Sequence, residues 1–169
     1  MAPMGAAMWN AEMTFPIILR RSIMIAISSH VEHVLRRWCE LLHGEWSLPR
    51  KLGKPSNGQS DLQNCMIYLK DVAGLSLGDF EKWPEWLHVD GYRVARNCLA
   101  HNGGIVERQG DRAKIALLAH VEVDESGLLL EHPVVHLLPG ACDAALDVVK
   151  TFFDRLAHAC QQDPRASRP

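Results

Sequence analysis

An arginine, an asparagine and a histidine lie close together in the segment Arg96–Gly104, which reads RNCLAHNGG. On an α-helix, Asn97 and His101 are i, i+4 neighbours on one face, and the long side chain of Arg96 can reach the same region. Two glycines follow, and glycine readily adopts the positive φ that ends many helices. We therefore expect His101 in an exposed last helical turn.

These three residue types could together cleave a phosphodiester bond. Cleavage of RNA without a metal ion needs a base for the ribose 2′-hydroxyl and a cation or hydrogen-bond donors for the pentavalent phosphorane. Histidine transfers protons near neutral pH, and the planar guanidinium of arginine binds phosphate oxygens in a bidentate manner. His101 would transfer protons, Arg96 would stabilise the phosphorane, and Asn97 would position them.

The same residues also admit a structural interpretation. Arg96 would then pair with an acid such as Glu85 or Asp90. His101 and Asn102 would only cap the end of the helix. The helical segments on either side help to decide between the catalytic and the structural interpretation.

The segment resembles the R-N-x-x-x-H signature of HEPN domains, in the RNxxxHNGG form of one prokaryotic branch. The resemblance covers residues 14–160, because three more helical segments occur around it in the expected order: FPIILRRSIMIAISSHVEHVLRRWCELL, LQNCMIYLKDVAGL and LDVVKTFFDRL. It implies an all-helical domain, a homodimer and a metal-independent endoribonuclease that leaves a 2′,3′-cyclic phosphate. In such dimers the two motif helices face each other across a cleft, which places two arginines and two histidines at one phosphate.

The resemblance also implies a biological setting. A toxin or defence effector is expected, with an antitoxin or a nucleotidyltransferase as its partner. The alternative is a non-catalytic HEPN module that binds RNA or nucleotide, or that serves as a dimerising scaffold for a partner protein.

Composition narrows the class of protein. The chain of 169 residues has a formal net charge of −2, so any contact with RNA must come from a local basic patch. Five cysteines without a C-x-x-C pair argue against a disulfide framework or a zinc ribbon, and we expect no metal and no cofactor. The N-terminus does not read as a signal peptide, and the most apolar run, Ile23–Ile27, is too short to span a bilayer. We expect a cytoplasmic protein without membrane contact.

Two further groups of residues have open interpretations. Trp83 and Trp86, just before the motif helix, could stack on a base or pack into the core. Between positions 36 and 54, basic residues outnumber Glu40 and Glu45. This basic cluster is either a track for the RNA backbone or a solvated helix end and loop. Its members are Arg36, Arg37, Arg50, Lys51 and Lys54.

Hydrophobic periodicity predicts a mainly α fold, a bundle of four to five helices with a small β-hairpin before the last helix. The resemblance implies that this bundle is HEPN-like. Residues 1–162 would form a single domain and residues 163–169 a disordered tail. Helices are expected near 14–44, 60–74, 89–102 and 141–161, and strands near 114–119 and 128–138. Ser60 and Gln63 match a capping box at the start of the second helix. The first helix carries apolar residues at spacings of three and four: Ile23, Ile27, Val31, Val34, Trp38 and Leu41.

Overall fold

The structure, a computed structural model, describes residues 3–125 and 132–167, with the side chains of 14–125 and 132–165. Over these residues it has five α-helices and a two-stranded antiparallel sheet before the last helix, which confirms the predicted fold class. The elements are α1 (Pro3–Glu45), α2 (Asp61–Asp71), α3 (Pro84–His101), α4 (Gln109–Ile115), β1 (Val121–Asp124), β2 (Val134–Leu137) and α5 (Ala141–Gln161). Short 3-10 helices occur at Phe80–Lys82 and Pro164–Ser167.

The described residues divide into two compact units. The first unit consists of the chain up to Ser28 together with Gly91–Asp147, and it contains the RNCLAHNGG segment. The second unit consists of Ser29–Asp90 and the chain from Val148 onward. That residues 1–162 form a single domain stays a prediction.

Helix α1 begins earlier than the sequence predicts. Pro16 suggests a helix start near Thr14, but the helix is continuous from Pro3 with Pro16 inside it. The prediction of a start at residue 14 was therefore wrong. Residues 4–13 are rich in methionine and alanine, which favour the helix, so one proline without an N–H group does not end it.

The buried face of α1 also differs from the predicted apolar stripe. Of that stripe only Val31 is buried, whereas Ile23 and Leu41 are exposed. The buried positions are offset by about one residue: Met24 and Ser28 in the first unit, and Val31, Leu35, Cys39 and Leu42 in the second. Because apolar side chains occur around most of this helix, periodicity alone could not select the face that packs.

In the second unit, α2 begins at the predicted cap. The amide of Gln63 donates to the Ser60 hydroxyl at 3.1 Å, which is one half of the capping box. The Gln63 side chain instead donates to Glu81 at 3.5 Å, so the reciprocal half of the box is not formed. The predicted inner face is buried in the core of this unit: Leu62, Met66, Leu69 and Ala73.

In the first unit, the segment after the motif helix was assigned wrongly. Residues 114–119 were predicted as a strand, but α4 ends at Ile115 and a turn follows. Strand β1 begins only at Val121. Helix α3, in turn, begins at Pro84 rather than near residue 89, since proline is well suited to the first position of a helix.

The small sheet continues into the loop that follows the motif. Strands β1 and β2 pair antiparallel, with Val121 opposite Leu137 and Asp124 opposite Val134. An isolated bridge joins Ile105 to Val134. Pro133 directly precedes β2, while residues 128–131 of the second predicted strand lie outside the described residues. The sheet thereby holds the chain just beyond the RNCLAHNGG segment.

Helix α5 has the predicted bounds, and the side chains of Ala145, Phe152 and Leu156 are buried on its predicted inner face. Residues Pro164–Ser167, which the sequence analysis placed in a disordered tail, form a 3-10 turn. Arg165 in this turn donates to the Ala73 carbonyl, and its guanidinium lies 4.3 Å from the centre of the Trp46 ring.

Candidate active site

The glycine pair ends α3 directly after the candidate histidine. Gly103 and Gly104 have φ angles of 62° and 97°, a region that side-chain-bearing residues rarely adopt. The amide of Gly104 donates to the Cys98 carbonyl at 2.8 Å, and so does the amide of Asn102, at 3.0 Å. These bonds satisfy a carbonyl that the end of a helix would otherwise leave without a partner. His101 thus lies in the last turn of α3, as the sequence predicts, and is the last residue of the helix.

Arg96 and Asn97 are in direct contact. The Nη1 of Arg96 donates to the Oδ1 of Asn97 at 2.9 Å, and both side chains are half-buried. The amide nitrogen of Asn97 remains on the other side of its side chain as a donor. Asn97 therefore restrains the guanidinium. Glu85, one of the acids proposed as a partner of Arg96 in the structural interpretation, instead binds Arg155 at 3.0 Å.

His101 is exposed one helical turn after Asn97. Over the described residues it makes no hydrogen bond or ion pair, so no acceptor fixes the orientation of its imidazole. The i, i+4 spacing places His101 and Asn97 on one face of α3. Arg96 begins about 140° around the helix from His101, but its guanidinium is bonded to Asn97, which shares the face of His101. The exposed imidazole is accessible to a phosphodiester from solvent.

Cys98 lies within the same turns but does not offer a nucleophile. Its side chain is buried, and burial, followed by the negative charges of Asp111 and Glu107, raises the pKa of its thiol. The thiolate is the reactive form of cysteine. Cys98 therefore remains a protonated thiol at neutral pH and acts as a small apolar residue of the core.

Within the described residues, no three His, Cys, Asp or Glu side chains come together as they would around a metal ion. Cys39 and Cys65 are adjacent and buried in the second unit, where the Sγ of Cys39 donates to the Cys65 carbonyl at 3.7 Å. Their thiols also interact, which raises the pKa of Cys39 and lowers that of Cys65.

The predicted basic cluster belongs to the second unit, and the structure brings part of it together. Arg36 and Lys51 line one pocket of about 370 Å³ with Glu40, His43 and Leu52. Arg36 also binds Asp61 at 2.5 Å, and Arg37 binds Glu40 at 3.1 Å. The side chains of Arg50, Lys51 and Lys54 are exposed in the loop after α1.

The two tryptophans before the motif helix are packing residues. Trp83 and Trp86 are both buried in the core of the second unit. Trp86 makes an edge contact with Phe80, with ring centres 5.1 Å apart, and the Arg155 guanidinium lies 4.1 Å from the Trp83 ring centre. Neither indole face is open in the way that base stacking requires.

The sequence analysis missed two arginines of α1. The Nε of Arg20 donates to the Leu137 carbonyl at 2.8 Å. The Nη2 of Arg21 lies 3.5 Å from the point where a Cβ on Gly104 would be. The sequence does contain one feature that sets these arginines apart. They are the only charged residues in the apolar stretch from Pro16 to Ser28.

Comparisons with known proteins add no assignment. The chain matches no protein-family model, no curated protein and no solved structure. No helix over the described part of the chain has the length and apolar character needed to cross a membrane.

Proposed function

We propose that this protein is an HEPN-type endoribonuclease that cleaves RNA without a metal ion. The observation that carries the proposal is the arrangement at the end of α3. There an exposed His101 follows, by one helical turn, an Arg96 guanidinium hydrogen-bonded to Asn97. The Gly103–Gly104 turn already caps the end of α3, so the cap itself does not require the side chains of Asn97 and His101.

In the proposed reaction, a ribose 2′-hydroxyl attacks the adjacent phosphorus atom. His101 takes part in proton transfer, either from the 2′-hydroxyl or to the leaving 5′-oxygen. Arg96 binds the phosphate oxygens and stabilises the negative charge of the phosphorane, while Asn97 positions the guanidinium. The P–O5′ bond breaks, so the products carry a 2′,3′-cyclic phosphate and a 5′-hydroxyl.

One chain supplies one His101 and one Arg96, so we propose a homodimer in which two copies of α3 line one cleft. An apolar stripe on α1 in the same unit supports this. At about 100° per residue, its members share one face, roughly opposite the buried Met24. The stripe consists of Phe15, Ile18, Leu19 and Ile23, with exposed fractions of 64%, 55%, 46% and 38%. A symmetric interface would cover the same stripe on both chains.

The dimer can be tested by sedimentation. Ile18→Glu introduces a charge into the stripe and should convert a micromolar dimer into a monomer. Leu146→Glu is the control, because Leu146 is equally exposed, at 52%, on α5 in the same unit. A wild-type protein that is monomeric at micromolar concentration, or an Ile18→Glu variant that stays dimeric, would contradict the proposal.

The basic cluster of the second unit is proposed to contact the RNA backbone. Arg36 and Lys51 in one pocket support this, because phosphate binding depends on closely spaced cations. Glu40 in the same pocket reduces the local positive charge. A toxin or defence role, with an antitoxin or nucleotidyltransferase partner, is part of the same proposal and comes from the HEPN resemblance. The proposed cytoplasmic location comes from the composition and the unpaired pattern of the cysteines.

The second candidate is a non-catalytic HEPN module that binds RNA or nucleotide, or acts as a dimerising scaffold. One observation favours it: over the described residues, no hydrogen bond orients the imidazole of His101. Catalytic histidines are commonly oriented by a second group. Because catalytic hydrogen bonds often form only with substrate bound, this geometry does not remove the first candidate.

Activity separates the two candidates. Purified protein is incubated with total RNA in excess EDTA, beside His101→Ala and His120→Asn. His120 is an exposed histidine of the same unit with a φ of 59°, a conformation that asparagine tolerates. We expect cleavage by the wild type and the His120 variant, and a loss of about 10²–10⁴-fold in His101→Ala. Undiminished cleavage by His101→Ala would leave the binding module as the better account.

A further inference from the structure

A second arginine lies beside the glycine turn that follows the motif helix, although it is distant in sequence. In the stretch of α1 between Pro16 and Ser28, only Arg20 and Arg21 are charged. Arg20 has a structural role, because its Nε donates a hydrogen bond to the Leu137 carbonyl at 2.8 Å. Arg21 is half-buried and makes no hydrogen bond or ion pair to any other described residue.

The guanidinium of Arg21 lies close to Gly104. A Cβ on Gly104 would lie 3.5 Å from the Nη2 of Arg21 and 3.4 Å from a methyl group of Val134. Gly104 itself is held from two sides: its amide donates to Cys98 of α3 at 2.8 Å, and its carbonyl accepts from Val135 of β2 at 2.8 Å. The guanidinium of Arg21 therefore lies against a rigid turn that begins directly after His101.

We propose that Arg21 is a second phosphate-binding residue of the RNA site, an inference that rests on the function proposed above. A half-buried guanidinium without a protein acceptor can bind phosphate oxygens with two parallel hydrogen bonds. Arg21 would bind the backbone next to the phosphate that Arg96 contacts. Its role is substrate binding, whereas proton transfer belongs to His101.

The test is the binding of a fully 2′-O-methylated RNA oligonucleotide, which lacks the internal nucleophile and cannot be cleaved by the proposed reaction. Affinity is measured from 50 to 300 mM KCl for the wild type, Arg21→Ala, Arg21→Lys and Arg108→Ala. Arg108 is an exposed arginine of the same unit and serves as the surface-charge control.

Arg21→Ala should weaken binding at least about tenfold, the size expected for a hydrogen bond to a charged group. Its plot of log affinity against log salt should also become shallower by about 0.7, the loss of one phosphate contact on a single strand. Arg21→Lys should keep the wild-type slope at reduced affinity, because it retains the charge but not the bidentate geometry. Arg108→Ala should match the wild type in both quantities.

The outcomes distinguish this inference from the proposed function. An unchanged affinity and slope in a folded Arg21→Ala protein would overturn the inference, as would a wild type that does not bind the oligonucleotide. If Arg21→Ala does not fold, an Arg21→Lys affinity equal to wild type overturns it. The proposed function is tested separately, because it stands or falls with RNA cleavage by the wild type and its loss in His101→Ala.

Discussion

Replacing Gly91 by alanine should destabilise the protein, although alanine normally stabilises a helix. Gly91 lies in α3, five positions before Arg96, and α4 packs closely over it. A Cβ at this position would lie 2.9 Å from the Lys114 carbonyl oxygen and 3.0 Å from Cδ2 of Leu118. The leucine can rotate, but the carbonyl belongs to the last turn of α4 and can move only with the backbone.

Two opposing contributions determine how far Gly91→Ala changes the free energy of unfolding. Removing glycine from a helix interior contributes about 1 kcal/mol in favour of folding. Overpacking a close contact costs about 1–3 kcal/mol. The net loss in the free energy of unfolding should be about 1 kcal/mol, which for a chain of this size corresponds to a decrease of roughly 2–4 °C in Tm.

Urea denaturation followed by circular dichroism at 222 nm measures this change. Gly110→Ala is the matched control, because Gly110 is also helical and a Cβ there meets nothing within 4 Å. That variant should be as stable as the wild type or slightly more stable. A Gly91→Ala protein that gains stability to the same extent would refute the close approach of α4 to α3.

Three further predictions concern the elements around the site and their stability. Ser60→Ala should lower the free energy of unfolding by about 1 kcal/mol, because it removes the N-cap of α2, while Ser56→Ala should be neutral in the same urea titration. Gly104→Ala should cost about 1–2 kcal/mol in that assay through its φ of 97°, and a cost near zero would contradict the turn geometry. Burial, followed by the nearby Cys142, raises the pKa of Tyr92 to about 12 from 10.0, so stability that is complete below pH 10 should fall as the pH rises from 10 through 12. Tyr92→Phe should remove part of that fall, and an unchanged pH profile would count against the burial of the phenol.

The elements that the sequence predicts best are those whose signals agree with one another. Helix α5 combines a clear apolar period with the Pro139–Gly140 turn just before it, and its bounds match. Helix α2 begins at a side-chain cap, which is a local contact between Ser60 and the backbone three residues later. The exposure of His101 also follows from local chemistry, because the glycine pair ends the helix wherever the rest of the chain lies.

The features that the sequence did not predict depend on contacts between distant residues. Helix α1 is apolar around most of its circumference in its N-terminal half, so only packing selects Met24 rather than Ile23 as the buried residue. Helix α4 has only seven residues, too few for its period to be distinguished from that of a strand. Arg21 reaches Gly104 across 83 positions of sequence, and no local pattern indicates such a contact.

The central claim is that His101 and Arg96 cleave RNA through the ribose 2′-hydroxyl, and the end groups of the products test it most directly. A defined RNA oligonucleotide is digested in excess EDTA, and the fragments are analysed by mass spectrometry. We predict 2′,3′-cyclic phosphate and 5′-hydroxyl ends with the wild type, and the same ends formed at least about 100-fold more slowly with Arg96→Ala and His101→Ala. Fragments with 3′-hydroxyl and 5′-phosphate ends, or cyclic ends formed by both variants as fast as by the wild type, would contradict the account.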